Sequence, residues 1–240
     1  MPAQQTPQPK SVEEWRELLQ SNLQALQTRL HAVCQTQGRD PGSVTLVAVS
    51  KKQPPEAIRA AYQLGLRDFG ENYVQEWQSK ALALKDLPHL RWHFIGHLQT
   101  NKVKDLLKPH PPSLLHTLDR PALLEALAKR PGPWRVLIQL QVDPHKQGAA
   151  QTEAEALYRS AQATPSVQVL GFMGMAPADL SSASLQHLFD EFQMNAQKLW
   201  DRPGKPILSL GMSQDWEEAV ASGATHLRIG TALFGSRTYT

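Results

Sequence analysis

The sequence predicts an α/β fold: a single (β/α)8 barrel of the TIM type, preceded by one extra N-terminal helix. Three observations predict it. Short apolar runs alternate with helical patterns along most of the chain, and strands that alternate with helices build parallel sheets. The apolar runs number eight. The chain has 240 residues, a length at which α/β barrels commonly fold undivided. An open doubly wound sheet is the rival, but it lacks its glycine fingerprint. Gly171-Phe172-Met173-Gly174 is not G-x-G-x-x-G, and Gly204-Lys205 lacks the rest of a Walker loop.

The elements follow in order. Residues 1–10 are polar and Pro-rich and read as a disordered tail, which leaves 11–240 as one domain. Ser11 offers an N-cap, and Glu14 completes a capping box. Trp15, Leu18, Leu19, Leu23, Leu26, Leu30 and Val33 then recur at helical spacing, giving an amphipathic helix to about Gln37. Gly38 to Gly42 break it. Strands are expected near 44–50, 67–70, 91–96, 114–118, 136–142, 169–175, 207–212 and 226–231. Helices are expected near 54–64, 73–84, 101–107, 121–130, 152–163, 184–200 and 214–222, and any helix after the last strand is very short.

Composition narrows the function classes. The chain is 41% hydrophobic and 20% charged, as soluble globular domains are. A net charge of +3, with basic residues scattered rather than striped, argues against a nucleic-acid partner. Cys34 is the only cysteine, so no internal disulfide forms. It shares a helix face with Leu30 and Val33 and is expected to pack as a small hydrophobe. The N-terminus lacks the apolar core of a signal peptide, and no apolar run approaches the ~18 residues of a membrane span. A cytoplasmic protein without a membrane partner is expected.

In a barrel of this type the site lies at the C-terminal ends of the strands. Those ends carry Lys51; Glu71-Asn72; His97 with Gln99 and Asn101; the 143–148 loop; Met173 to Pro177; Gly211-Met212-Ser213; and Gly230-Thr231. Lys51 closes the apolar run Leu46-Val47-Ala48-Val49-Ser50. A free lysine titrates near pH ~10.4, and burial lowers that value toward a nucleophilic neutral amine. Such amines form Schiff bases with carbonyl compounds and with pyridoxal phosphate. The alternative is a lysine that snorkels from the strand end into water.

Gly211-Met212-Ser213 leads into the helix expected from Gln214, where Ser213 would cap, and Gly230-Thr231 ends strand eight. Barrels of this type often hold a phosphate between these two loops, on backbone N–H groups at a helix start. Arg228 shares a strand face with Gly230. A guanidinium cannot shed its charge, so inside a barrel it needs an acceptor. An unprotonated pyridine nitrogen would serve, and so would a buried carboxylate. His89, His93 and His97 lie four apart, but on a strand-to-turn segment with no cysteine or carboxylate at ligand spacing. Hydrogen-bonding histidines are therefore expected, not a metal. No G-x-S-x-G elbow is present.

Taken together, LVAVSK (46–51), FGENYVQE (69–76), WHFIGHLQTNK (92–102), LHTLDR (115–120), VLIQ (136–139), LSLGMSQD (208–215) and GATHLRIGTALFG (223–235) resemble the pyridoxal phosphate homeostasis protein family (YggS/PROSC-like). These are single-barrel relatives of the alanine racemase N-terminal domain. The resemblance runs from about residue 11 to the C-terminus, and WHFIGHLQTNK is its most specific part. It departs in the 141–148 loop, which is shorter than usual and lacks the family's asparagine and acidic residue, and at Leu210, where methionine is typical.

The resemblance implies a pyridoxal 5'-phosphate cofactor held as a Schiff base on Lys51, rather than on Lys52, which points to the other face. It implies Asn72 near the ring, Ser213, Gly230 and Thr231 at the phosphate, and Arg228 facing the pyridine nitrogen. An arginine there keeps that nitrogen unprotonated and weakens the ring as an electron sink. Racemases of this kind draw a second base, a tyrosine, from a further domain of the partner subunit. This chain has Tyr62, Tyr73, Tyr158 and Tyr239, with Tyr73 the nearest candidate. The expected role is thus a carrier of pyridoxal phosphate in vitamin B6 homeostasis, with no catalytic residues, excluded from racemase-type dimers and so a monomer, supplying apo-forms of other enzymes. A racemase of weak or lost activity is the alternative.

Overall fold

The structure, a computed structural model, describes residues 10–142 and 147–235. Eight parallel strands close into one barrel in chain order. They are β1 (Thr45–Val49), β2 (Asp68–Glu71), β3 (Arg91–Phe94), β4 (Leu114–Leu118), β5 (Trp134–Gln139), β6 (Val167–Met173), β7 (Ile207–Ser209) and β8 (His226–Ile229). β1 pairs with both β2 and β8, which closes the ring. The intervening helices are α2 (Pro55–Gln63), α3 (Val74–Ala83), α4 (Pro121–Ala128), α5 (Gln151–Gln162), α6 (Ser182–Leu199), α7 (Trp216–Ala221) and the short α8 (Thr231–Phe234). The expected barrel is therefore present. The tail expected over residues 1–10 lies outside the described residues up to residue 9.

Two local expectations are corrected. Residues 101–107 form no α-helix but two 3-10 turns, Thr100–Lys102 and Asp105–Leu107. Val103 and Leu106 are the buried positions there, and a spacing of three matches the three residues per turn of a 3-10 helix. Strands three and seven also stop short, at Phe94 and Ser209. Ile95 and Leu210 each keep one backbone hydrogen bond to the neighbouring strand, to Glu71 and His226, and the chain then builds the loops of the C-terminal face.

The extra helix, α1 (Val12–Thr36), solves a packing problem. An outer ring needs a helix after every strand, yet α8 has only four residues. α1 packs against α2, α7 and α8 and so fills the gap between the ends of the ring. Its buried stripe is Trp15, Leu19, Leu23, Leu26, Leu30 and Cys34, the i, i+3, i+4 pattern of an amphipathic helix. The capping box is formed: Glu14 N–H donates to Ser11 Oγ at 3.2 Å, and Ser11 N–H donates to Glu14 Oε2 at 2.7 Å. Trp15 meets Phe234 edge-on at 6.5 Å, and Asn22 Nδ2 donates to the Leu233 carbonyl at 2.8 Å. Cys34 is fully buried, and that burial pushes its thiol up.

The barrel interior is polar along one line. Asp68, His93, His116, Ser209 and Arg228 are all buried. Arg91, half exposed at the start of β3, clamps Asp68 through Nε (2.7 Å) and Nη2 (2.5 Å). Asp68 Oδ1 contacts His93 Nε2 at 2.9 Å, and His93 Nδ1 contacts His116 Nε2 at 2.9 Å. His116 Nδ1 contacts Ser209 Oγ at 2.9 Å. His226 packs on both histidine rings, at 6.0 and 6.3 Å. Burial alone would raise the Asp68 carboxyl, but the bonds from Arg91 and His93 outweigh it and hold it well below the usual range.

Burial, with the neighbouring His93, pushes His226 down to about 4, and the same two causes depress His116. A base whose folded-state value is depressed contributes stability that is present above its unfolded value and is lost as pH falls through the folded value. Stability should thus decline between about pH 6.5 and about pH 4, by roughly 3 kcal/mol for His226. Urea unfolding across this window measures it, and His226→Gln should flatten the profile.

Candidate functional site

One cavity of about 410 Å3 opens at the C-terminal face of the barrel. Strand-end loops one, two, three, six, seven and eight contribute to it, and Lys51, Asn72, Ser213, Arg228, Gly230 and Thr231 all lie in its lining. The structure therefore brings the six sequence-derived candidates together. Ile95 and the 175–180 segment, with Met212, Gln214 and Asp215, complete much of the wall. His97, Gln99 and Asn101, grouped with them from sequence, are not in the lining. His97 is exposed and faces Asp119 at 3.7 Å. The loop after strand five falls outside the described residues at positions 143–146.

Lys51 is positioned by a buried ionic cluster that sequence reading missed. Ser50 N–H donates to the Gly70 carbonyl at 3.0 Å, and Ser50 Oγ donates to Glu71 Oε1 at 2.6 Å. Lys80, reaching down from α3, donates through Nζ to Ser50 O (2.8 Å), Glu71 Oε1 (2.8 Å) and Glu76 Oε2 (2.9 Å). Glu76 Oε2 also accepts the Lys52 N–H at 2.7 Å. Both residues flanking Lys51 are thereby tied down. Lys52 takes φ 61° and turns its side chain to solvent, so the chain reverses between the strand and the Pro54-Pro55 helix start. Burial pushes the Glu71 carboxyl up, with Lys80 and Ser50 only partly offsetting it. The available signal was the i, i+4 pair Glu76–Lys80 on a helix facing a strand that ends in Glu71.

Asn72 sits where two loops touch. A Cβ on Gly96 would lie 2.0 Å from the Asn72 carbonyl oxygen, so only glycine lets strand three's exit pass beneath it. Thr117 Oγ1 donates to Gly96 O at 2.8 Å and holds that exit. The Asn72 Oδ1 atom is buried without a hydrogen-bond partner, a costly condition for an amide oxygen.

Ser213 does not cap the seventh helix. That helix begins at Trp216 with Asp215 as its N-cap, and Asp215 Oδ1 turns back to accept the Met212 N–H at 2.5 Å. The Asp215 carboxylate thus occupies an amide of its own loop. Ser213 Oγ instead accepts from the N–H groups of Gly230 (3.3 Å) and Ala232 (3.2 Å). It joins the loops after strands seven and eight. A Cβ on Gly230 would meet nothing of the protein nearer than Val49 at 3.6 Å, so protein packing does not require glycine there.

Arg228, 4% exposed, lines the cavity from within β8. Nη1 donates to Ser209 O and Ser209 Oγ, each at 2.7 Å, and Nη2 donates to Gly174 O at 2.9 Å. Among the described residues no carboxylate forms an ion pair with it. Burial pushes the guanidinium down to about 10, against the field of Asp215, and it stays charged at neutral pH. None of the described tyrosines lines the cavity: Tyr73 is exposed at the N-cap of α3, Tyr62 donates to Pro88 O, and Tyr158 donates to Asp201. Tyr239 lies outside the described residues.

The profile of the alanine racemase N-terminal domain matches residues 21–238. A pyridoxal phosphate homeostasis protein of Pseudomonas aeruginosa is 39% identical over 225 residues, covering 91% of this chain and 95% of its own. That of Aquifex aeolicus is 40% identical, covering 88% and 95%. The structure of PipY from Synechococcus elongatus PCC7942 with PLP bound superposes with a TM-score of 0.74 at 37% identity, covering 86% of this chain and 99% of PipY. Alanine racemase from E. faecalis shares the fold, with a TM-score of 0.65 at 17% identity over 89% of this chain and 58% of the racemase.

The ionic cluster beneath Lys51 makes a measurable demand. Lys80→Met strands Glu71 inside the protein and should cost about 3–5 kcal/mol in urea unfolding, the usual penalty for removing one member of a buried pair. Adding Glu71→Gln, which withdraws the stranded charge, should recover a large part of that loss.

Proposed function

The chain belongs to the alanine racemase N-terminal-domain family, and from that premise we propose that it binds pyridoxal 5'-phosphate at the strand-end cavity and serves pyridoxal phosphate homeostasis. The observation that carries this reading is Arg228, a buried guanidinium held by neutral oxygens and facing a cavity whose rim carries Lys51. The residues fit the cofactor on three further counts. Asn72 Oδ1 is a buried acceptor without a partner. A Cβ on Gly230 would make only ordinary contact with Val49, at 3.6 Å, so the glycine there keeps space open on the cavity side. The Ser213 and Thr231 hydroxyls line the same corner, where Ser213 Oγ gathers the Gly230 and Ala232 amides, and hydroxyl donors there suit a phosphate.

When bound, the cofactor supplies an aldehyde that an amine can trap as a Schiff base, and a ring whose power as an electron sink depends on its nitrogen's proton. Lys51 is the amine we assign to that bond. Ser213, Gly230 and Thr231 hold the phosphate, and Asn72 borders the ring. Arg228 presents donors to the ring nitrogen and, as a fixed cation, disfavours its protonation.

This arrangement favours holding over turnover. Racemisation needs a base on each face of the substrate carbon, and no described tyrosine reaches the cavity. We therefore propose a carrier that keeps the reactive aldehyde bound and passes it to apo-forms of other enzymes, acting as a monomer because one chain supplies every assigned residue.

Purified protein mixed with pyridoxal phosphate should develop a visible absorption band that Lys51→Ala abolishes. A wild-type protein that stays colourless overturns the reading. L-alanine should be converted far more slowly than ordinary enzymic turnover of ~1 s⁻¹ or faster; conversion at such a rate would replace the carrier with a racemase.

A further inference from the structure

The cavity floor is joined to the opposite end of the barrel by a line of buried groups whose hydrogen atoms can be placed by elimination. Asp68 is an ionised carboxylate clamped by Arg91 and can only accept. His93 must therefore donate to it from Nε2. With a neutral ring, His93 Nδ1 then accepts, so His116 donates from its own Nε2. His116 Nδ1 in turn accepts the Ser209 hydroxyl proton, and Ser209 Oγ accepts from Arg228 Nη1. Every group donates in the same direction, from the cation to the anion, and none of these contacts is left unmatched. Protonating either imidazole adds a donor to this line and leaves two donors facing each other or the Ser209 hydroxyl proton without its acceptor.

We propose that Asp68, His93, His116 and Ser209 form a relay of positioning residues that fixes the Arg228 guanidinium at the cavity floor, with Asp68 as its remote counter-ion. The claim that Arg228 then acts on pyridoxal phosphate rests on the function proposed above. Three of the guanidinium's five N–H groups are committed to Ser209 and Gly174, which sets the plane in which the others meet a ligand. The charged and titratable groups facing this line are Arg91 from β3, His226 from β8 and Asp215 from the loop after β7.

Two measurements test the relay, one of which needs no cofactor. In nitrogen NMR of the unliganded protein at about pH 8, His93 and His116 should each be a single Nε2–H tautomer. Arg228 side-chain protons should exchange slowly in the wild type and several-fold faster in Ser209→Ala. Mixed tautomers, or unchanged Arg228 exchange, overturn the relay. In the second, protein loaded with pyridoxal phosphate is titrated by absorbance. Asp68→Asn keeps the shape of the carboxylate but removes its charge, and should move the spectral midpoint to lower pH by roughly half a unit, the scale of one screened interior charge. Ser209→Ala, which loosens the guanidinium without changing any charge, should move it to higher pH. A purely structural role would lower the melting temperature and leave the midpoint in place, and that result overturns the proposal. Where Asp68→Asn does not fold, Ser209→Ala and the wild-type tautomers decide. A wild type that takes up no pyridoxal phosphate defeats the proposed function, while the NMR measurement still decides the relay.

Discussion

A guanidinium inside a closed barrel is the constraint around which this molecule is organised. Arg228 cannot neutralise itself, and transferring an unpaired charge out of water costs far more than a domain's net stability. Among the described residues no ion pair answers it. The chain answers with carbonyls from two neighbouring loops and strands, Gly174 and Ser209, and with a line of polar side chains leading to Asp68. The solution requires strands that break their own apolar pattern at chosen points. Strands buried on both faces ordinarily run continuously hydrophobic, yet β2, β3, β4, β7 and β8 each place a buried polar side chain toward the axis at Asp68, His93, His116, Ser209 and Arg228.

The rim of the cavity is built differently from its floor. Below Lys51, two carboxylates and one ammonium crowd around the Ser50 backbone. Such clusters add little net stability compared with hydrophobic packing, but they resist rearrangement because any partner withdrawn leaves a charge buried. Three lysines near this turn thus meet three fates. Lys80 is buried and paired, Lys52 turns to solvent at a left-handed position, and Lys51 lines the cavity. The first two fates fix the backbone on either side of the third.

The barrel was legible because its signal is repeated. Eight apolar runs and their intervening amphipathic stretches agree with one another, and α1 announced itself through a capping box and a regular stripe. The rim was legible because strand ends are where this fold keeps its sites. What escaped was whatever depends on contacts between distant segments. Nothing local to Ser213 reveals that its hydroxyl serves Gly230 and Ala232 rather than its own helix. Asp215, not Ser213, stands at the N-cap of that helix, and its carboxylate accepts the Met212 amide. His93 looked like one of an evenly spaced histidine series, whereas its real partners, Asp68 and His116, lie on neighbouring strands. A polar residue inside an otherwise apolar strand was the visible trace, but it names no partner.

Floor and rim together explain why the cavity suits holding a reactive ligand. The rim offers an amine on a backbone that cannot drift, and the floor offers a cation that cannot lose its charge. Between them the corner joined by Ser213 ties loops seven and eight before any ligand arrives, so little ordering remains to be done on binding. A site organised in this way gains affinity through pre-organisation. It gains no catalytic power by the same route, since the cation proposed to face the ring nitrogen would keep off the proton that makes the ring a strong electron sink. The features that make the pocket rigid are therefore the ones that restrain its chemistry.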